Sequence, residues 1–203
     1  MLHRNIFISV IVLWSSIALY ANAAVQTTTT TLTATIVASS CVGEIITTGS
    51  EGRVAEGSGT VDFGVVNPKT RQAPIRIFSL RLSESVGGKA GCSAFEAYGR
   101  KYPVATLSFG DVGNTQLDDR GVILRDDYGS DTTLRVQIEP LDAEGKFIQS
   151  HGPRYITASN AHITYPIVFA AKGLFGFQAT LSQWDRVRPG RFNGSLTVTV
   201  VYR

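Results

Sequence analysis

The end of the chain carries its most regular pattern of apolar and polar positions. From Phe192 to Tyr202 every second residue is apolar or glycine, and the residues between them are mostly polar or β-branched. A period of two predicts a strand, Arg191–Val201, with one buried face. The residues on that face are Phe192, Gly194, Leu196, Val198, Val200 and Tyr202. Because chain ends usually fray and are polar, so regular a terminal strand requires an explanation.

Short apolar and β-branched runs, separated by glycine, asparagine, aspartate and proline, recur through the rest of the chain. They predict strands at Leu32–Val37, Cys41–Thr47, Gly59–Val66, Ile75–Leu82, Val104–Phe109, Val122–Leu124, Thr133–Ile138, Lys146–Gln149 and His162–Ala171. The best helix candidate is the short segment CSAFEAYGRK. Many short strands with regular turn signals indicate an all-β sandwich. No repeat or linker divides the chain, so we expect one domain.

The segment Thr27 to Ser40 is an extended arm. It begins with a threonine tract and contains the first predicted strand. Thr28, Thr30, Leu32, Ala34 and Ile36 share one face of it. Threonine favours strands because its branched Cβ fits a pleated surface, and the absence of proline argues against a mucin-like stalk. The pattern does not decide whether this arm pairs within its own domain. Strand edges can also pair head to tail between chains, which builds a fibre.

Residues 1–23 have the pattern of a secretory signal peptide. Arg4 precedes a mostly apolar run, and Ala21-Asn22-Ala23 is a small-residue cleavage signature. The alternative is a membrane anchor, but the run is shorter than the ~20 apolar residues that a spanning helix needs. We expect export, with no membrane insertion of the remaining domain.

Composition narrows the possible functions. The chain is 43% hydrophobic and its formal net charge is only +3. Its basic residues are scattered, with one loose group at Arg186, Arg188 and Arg191, so no nucleic-acid-binding face is expected. Cys41 and Cys92 are its two cysteines. In an oxidising compartment such a pair is usually a disulfide. Free thiols or a metal site are the alternatives, although ligand spacing is lacking.

Catalytic chemistry finds little support in the sequence. Beyond the leader the histidines are His151 and His162, and no G-x-S-x-G motif occurs. The carboxylates Asp118, Asp119, Asp126, Asp127 and Asp131 lie in turn-like sequence and are expected to be solvated. We therefore expect no enzyme activity, no metal and no cofactor.

Taken together, the chain resembles a pilin subunit of the bacterial chaperone–usher pathway, of the type 1 fimbrial kind. The resemblance spans essentially the whole length and rests on the leader, the arm and several motifs. These are IVASSCVG, VDFGVV, IFSLRLSES, GCSAF, VATLSFGDV and the closing VRPGRFNGSLTVTVVYR. The closing segment has the penultimate aromatic residue, Tyr202, and the glycine fourteenth from the end, Gly190, that such pilins are expected to have.

The resemblance implies an incomplete immunoglobulin-like sandwich that lacks its final strand. A groove then runs beside the C-terminal strand, lined by Gly190 and the face that begins at Phe192. A periplasmic chaperone fills it first, and at the outer-membrane usher the arm of a neighbouring subunit replaces the chaperone. Residues 24–38 would be the donor-strand extension and 39–203 the pilin domain. The implied function is a structural subunit of a surface fimbria that supports cell adhesion, and a lone chain should leave its groove open.

The arm departs from the family pattern. Its inward face carries no glycine and begins with Thr28 and Thr30 instead of larger apolar residues. This predicts either a weakly held donor strand or a shifted register. The alternative function is a minor tip or adaptor subunit that binds a glycan or protein receptor directly as an adhesin. An unrelated secreted enzyme on a sandwich fold is a further alternative, although no clustered site supports it.

Overall fold

The computed structural model describes residues 27–36, 41–47, 58–69, 72–85, 88–98, 101, 103–141 and 155–202. The strands are β1 (Thr27–Ile36), β2 (Val42–Thr47), β3 (Ser58–Val65), β4 (Ile75–Ser83), β5 (Val104–Phe109), β6 (Leu117–Asp118), β7 (Gly121–Asp126), β8 (Asp131–Leu141), β9 (His162–Pro166), β10 (Leu174–Ser182) and β11 (Arg191–Tyr202). Two short helices, α1 (Ser93–Tyr98) and α2 (Ile167–Ala171), and a 3₁₀ turn at Trp184–Arg186 complete these ranges. The predicted all-β class is confirmed.

The strands form one continuous sheet that folds over on itself at β11. Its order is β2-β4-β10-β8-β7-β11-β1-β3, and β5 joins β11 to β9 outside that path. The first part of β11 pairs with β7 at Phe192 and Asn193, while its last part, Val198–Tyr202, pairs with β5. We call β2, β4, β10, β8 and β7 the β10 layer, and β9, β5, β11, β1 and β3 the β11 layer.

Aromatic side chains pack the two layers face to face. Phe177 of β10 stacks on Phe78 of β4 within its own layer, with ring centroids 5.3 Å apart. The same ring meets Phe109 of β5 edge-on across the core at 5.8 Å. Tyr165 of β9 and Phe175 of β10 make a second such contact across the core at 4.8 Å. These contacts bury the alternating apolar faces against each other, as a sandwich requires.

Cys41 and Cys92 form a disulfide, which confirms that prediction. The bond joins the residue before β2 to the residue before α1, across a sequence separation of 51. In the chain-entropy view, a loop of this size is worth about 4 kcal/mol of stability. The N–H of Cys92 also donates to the carbonyl of Ala171 at the end of α2. The bond therefore fixes the chain just after the arm to the two-helix end of the sandwich.

Two parts of the sequence prediction are wrong. The run His162–Ala171, predicted as one strand, becomes helical after Pro166, whose ring nitrogen cannot donate to a ladder. Val168 is 74% exposed there, so the apparent alternation is not a strand face. Strand β10, which is central in its layer, was missed. Its signal in the sequence was the alternating apolar series Phe175, Phe177, Ala179 and Leu181, all of which are buried. Gly176, between the first two, made the segment resemble a turn.

The remaining predicted elements differ mainly in their ends. The helix in CSAFEAYGRK is confirmed as α1. Strands β1, β7 and β8 are longer than predicted, and the two-residue strand β6 was missed. The predicted strand Lys146–Gln149 and the predicted leader lie outside the described residues, as does His151. The arm therefore enters the fold as a full strand, which positions the candidate site.

Gly194 allows β11 to cross from one layer to the other. A Cβ atom at this position would lie 2.6 Å from the carbonyl oxygen of Ile123 and 2.6 Å from a methyl carbon of Leu124. The oxygen belongs to the backbone of β7, which cannot move aside easily. Gly190, the glycine that the family pattern emphasises, differs in this respect. A Cβ there would meet only the ring of Phe192, at an ordinary 3.8 Å.

Replacing Gly194 by alanine should therefore destabilise the fold by about 1–3 kcal/mol through overpacking. Gly190→Ala is the matched control and should change stability by less than about 0.5 kcal/mol. Urea unfolding of the purified proteins, followed by tryptophan fluorescence, measures both changes. Equal effects of the two substitutions would contradict the assigned role of Gly194.

Candidate functional site: the strand slot beside β11

The candidate site is the slot on the side of β11 that faces away from β5. The inward residues of β11 are apolar and buried: Phe192, Leu196, Val198 and Val200. Gly194 lies among them at the crossing point and Gly190 lies just before the strand. For Tyr202 the structure describes only the backbone, which pairs with Ala105. The groove-lining residues predicted from the sequence thus share one strand, with its apolar face toward the core.

The chain's own arm occupies this slot. Strand β1 pairs with β11 in parallel from Thr27↔Arg191 to Ile36↔Val200, without a register shift. On its other side β1 pairs antiparallel with β3, from Thr27↔Val65 to Thr33↔Ser58. The expectation that a lone chain leaves its groove open is therefore wrong for this structure. The physical reason is that the arm matches β11 in length and alternation, and is held close to it by the chain itself.

The arm places its predicted inward face in the core. Thr28 is 0%, Thr30 1% and Leu32 1% exposed, whereas Thr31 is exposed. For Ala34 and Ile36 the structure describes only the backbone, opposite Val198 and Val200. No described residue offers a hydrogen-bond partner to the side-chain oxygens of Thr28 and Thr30. A buried hydroxyl without a partner costs about 1–3 kcal/mol.

The pairing with β3 is less regular than the pairing with β11. Its register shifts between Thr28 and Thr29, opposite Asp62 and Gly64. Gly64 has φ +66°, which favours glycine, and its N–H donates to the Asp62 carboxylate at 2.7 Å. This is a β-bulge, and it lies at the same end of the arm as the two buried hydroxyls. The first residues of β1, up to Thr30, are thus its most weakly held part.

Arg76 of β4 covers the opposite edge of β3. Its guanidinium donates to the carbonyl oxygens of Asp62 (2.9 Å) and Phe63 (3.0 Å) and lies 5.9 Å from the centre of the Phe63 ring. These carbonyls are consequently occupied by a side chain instead of a further strand, a common protection of sheet edges. The slot between β11 and β3 is therefore the candidate site, because β1 lies there and Arg76 occupies the carbonyl oxygens of Asp62 and Phe63.

Comparison with known families identifies the chain. Residues 5–203 match the family model of K88 fimbrial protein A. The chain belongs to the K88 fimbrial protein A family. This is a family of chaperone–usher fimbrial subunits, so the resemblance drawn from the sequence is confirmed. A comparison with curated proteins finds no match.

Membership of the K88 fimbrial protein A family gives the general function. The chain is a structural subunit of a cell-surface fimbria, and its partners include other fimbrial subunits. In the described part of the chain, none of the helices has the length and apolar character needed to span a membrane.

The loop after β5 holds β11 at its crossing between layers through contacts that the sequence did not predict. Between its pairs with β7 and β5, the strand relies on Thr197. The carbonyl of Thr197 accepts from Gly110 at 2.8 Å, and its N–H donates to the side-chain oxygen of Gln116 at 2.7 Å. The amide nitrogen of Gln116 donates back to the Thr197 hydroxyl at 3.2 Å. This reciprocal contact supplies the hydrogen bonds that a neighbouring strand would otherwise give.

Asp111 fixes the shape of that loop. One carboxylate oxygen accepts from the N–H groups of Thr115 (2.8 Å) and Gln116 (3.2 Å), and the other accepts from the Thr115 hydroxyl at 2.7 Å. The hydroxyl of Thr115, helped by the backbone donors, lowers the pKa of Asp111 below its usual value. The ionised form of Asp111 is therefore part of the support beneath β11.

The other carboxylates singled out in the sequence serve turns and ion pairs. Burial alone would raise the pKa of Asp118, but the N–H of Arg120 and the guanidinium of Arg135 outweigh it, so the pKa is lowered. Asp131 pairs with Arg125 at 2.9 Å, and Asp126 accepts two backbone N–H groups in the turn before β8. Asp119 and Asp127 lie in the adjoining turns.

Over the ranges that the structure describes, no group of three histidine, cysteine, aspartate or glutamate residues could hold a metal ion. His162 lies on the outer face of the β11 layer, where its Nδ1 is 2.9 Å from the Ser108 hydroxyl. Among the described residues, the candidate site is therefore the slot in which β1 pairs with β11.

Acid should weaken the support that Asp111 gives to β11. Because the folded pKa lies below the unfolded value of about 3.9, the carboxylate stabilises the fold above that pH. This stabilisation is lost as the pH falls through the lowered folded pKa. Asp111→Asn should therefore reduce stability at neutral pH and flatten the loss between about pH 5 and 2.

Urea midpoints measured across that pH range test this prediction. Asp127→Asn, in the turn before β8, is the matched control and should keep the pH dependence of the unmodified protein. A parallel pH profile for Asp111→Asn would show that the carboxylate has no such role.

Proposed function

We propose that this fimbrial subunit is assembled by strand exchange in the slot between β11 and β3. A periplasmic chaperone fills the slot first, and at the outer-membrane usher the arm of a neighbouring subunit takes it over. The observation that carries the proposal is the burial of Leu196, Val198 and Val200 against a strand that belongs to the end of the chain.

The residues proposed for each role follow from this geometry. The slot is lined by the face of β11 from Phe192 to Tyr202, together with Gly190. The donor face of the arm is Thr28, Thr30, Leu32, Ala34 and Ile36, which would enter the slot of the next subunit. Main-chain pairing gives general affinity, and alternate side chains give specificity. Head-to-tail repetition of this contact builds a fibre that supports adhesion.

We also propose a division of the chain into three parts. Residues 1–23 are the leader that sends the subunit to the periplasm, 24–38 are the donor extension and 39–203 are the pilin domain. The disulfide at Cys41 begins the domain just after the extension and suits an oxidising compartment. No cofactor is needed, because exchange of one strand for another involves no covalent step.

Co-expression with a cognate chaperone tests the proposal. We expect a soluble complex of one subunit and one chaperone that is lost when Tyr202 and Arg203 are deleted. Val200→Asp should also abolish the complex, because it puts a charge on a buried face of β11. Val201→Asp is the matched control. Val201 is the next residue along β11, and its side chain is only partly buried and points outward. Equal capture of both variants would refute the assignment of the slot.

Receptor binding is a second candidate function, and an open cleft favours it. The cleft has a volume of about 490 Å³ and lies between the β7–β8 turn and the segment that leads into β11. Tyr128 at its rim is 93% exposed, beside Asp127, and Arg188 and Arg191 line the other side. An exposed aromatic ring with nearby charged groups can stack on a sugar and bind its hydroxyls.

Glycan-array binding by purified fibres tests this second function. Tyr128→Ala should reduce the signal by about two- to tenfold if stacking contributes a typical aromatic contact. Val112→Ala, an equally exposed side chain in another turn, should leave binding unchanged. Retained binding by the Tyr128 variant would remove this cleft from consideration.

A further inference from the structure

The inserted arm pairs with a strand on both of its edges, over its whole length with β11 and from Thr27 to Thr33 with β3. Its backbone pairs with ten consecutive residues of β11 on one side and with β3 on the other. A strand in this position satisfies the main-chain groups and covers the apolar face that an empty slot would expose to water. The free subunit therefore has a closed state that needs no second protein.

The closed state is held unevenly along the arm. Leu32, opposite Leu196, is a fully buried apolar anchor. Thr28 and Thr30, opposite Phe192 and Gly194, are just as buried, yet their hydroxyls have no partner in the described ranges. Valine has nearly the same shape as threonine without the hydroxyl, so a strand with apolar side chains at these positions would fill the same space without that cost.

We propose that the self-inserted arm is an autoinhibitory plug whose two buried hydroxyls keep it replaceable. The plug closes the slot of the free subunit and competes with any incoming strand. It is tethered, so its effective concentration is high, but its affinity per residue is kept low by Thr28 and Thr30. An incoming strand displaces it, most readily one with apolar side chains at these two positions, and the released arm becomes free to enter another subunit. This inference rests on the proposed strand exchange.

The chemistry of the plug also explains where displacement is easiest. The two hydroxyls and the β-bulge at Gly64 all lie within the first residues of β1. Leu32 and the regular pairing with β11 lie further along. An incoming strand thus meets the weakest contacts at one end of the slot, next to Gly190 and the open cleft.

Strand-replacement kinetics test the proposal. They are measured on the whole exported subunit, purified without a chaperone. The probe is a fluorescent peptide that copies residues 24–37 with valine at positions 28 and 30. The subunit variant Thr28→Val/Thr30→Val should take up this peptide at least about tenfold more slowly than the unmodified subunit. Thr29→Val/Thr31→Val, on the outer face of the same strand, should change the rate by less than about twofold.

A conservative variant and a second measurement make the result decisive. Thr28→Ser/Thr30→Ser retains both hydroxyls and should exchange at least as fast as the unmodified subunit. Amide hydrogen exchange should show residues 27–36 protected in the free subunit and exposed once the peptide has entered. Size-exclusion chromatography with light scattering should show the free subunit as a monomer.

The possible failures separate the plug from strand exchange itself. If the arm amides are unprotected while the peptide still binds, the plug does not exist, but the proposed function stands. If the arm is protected and the Thr28→Val/Thr30→Val variant exchanges as fast as the unmodified subunit, the hydroxyls do not set the release rate and the proposal is overturned. If no variant takes up the peptide under any condition, strand exchange at this slot fails together with the plug.

Discussion

The structure depends on one constraint: the open side of β11 must always have a strand beside it. Leu196, Val198 and Val200 of β11 are buried in the core, and the backbone of β11 pairs with β1 along its length. An apolar strand face left in water would favour aggregation. In this structure the strand that fills the slot is the chain's own arm, and in the proposed assembly a chaperone or a neighbouring subunit would fill it instead.

This constraint accounts for the unusual composition of the arm. A face made only of large apolar side chains would close the slot too firmly for exchange at a useful rate. A face of small or flexible residues would not close it at all. Threonine keeps the strand propensity and the volume of valine, while its buried hydroxyl lowers the affinity. The arm thus combines one deep anchor, Leu32, with two weaker positions, Thr28 and Thr30.

The alternating pattern allowed the sequence to predict which faces are buried, but not which strand pairs with which. The inward sets on the arm and on β11 were both predictable, because a period of two assigns each residue to a face. The same period fits parallel and antiparallel neighbours, within one chain or between two. The direction of β1 and its pairing within its own chain could therefore not be predicted from it. Gln116 was invisible for another reason: its partner Thr197 lies 81 residues away in sequence.

The two local errors have equally specific causes. Tyr165, Ile167 and Phe169 alternate in sequence, yet Pro166 ends the ladder between them and the chain turns into a helix. In β10 the alternation of Phe175, Phe177, Ala179 and Leu181 is complete, but Gly176 resembles a breaker when no neighbours are known. Both glycine and proline have meanings that depend on the surrounding fold.

The order of the described elements fits the proposed exchange of the arm. A strand in the middle of a chain cannot leave its sheet without pulling the segments on both sides with it, whereas a terminal strand can. Here β1 lies near one end and β11 lies at the other, and the disulfide fixes the chain at Cys41, directly after the arm. Release of β1 can therefore stop at this covalent point and leave β2 in its layer. In the proposed strand exchange, β11 is the half that stays in place and the arm is the half that moves.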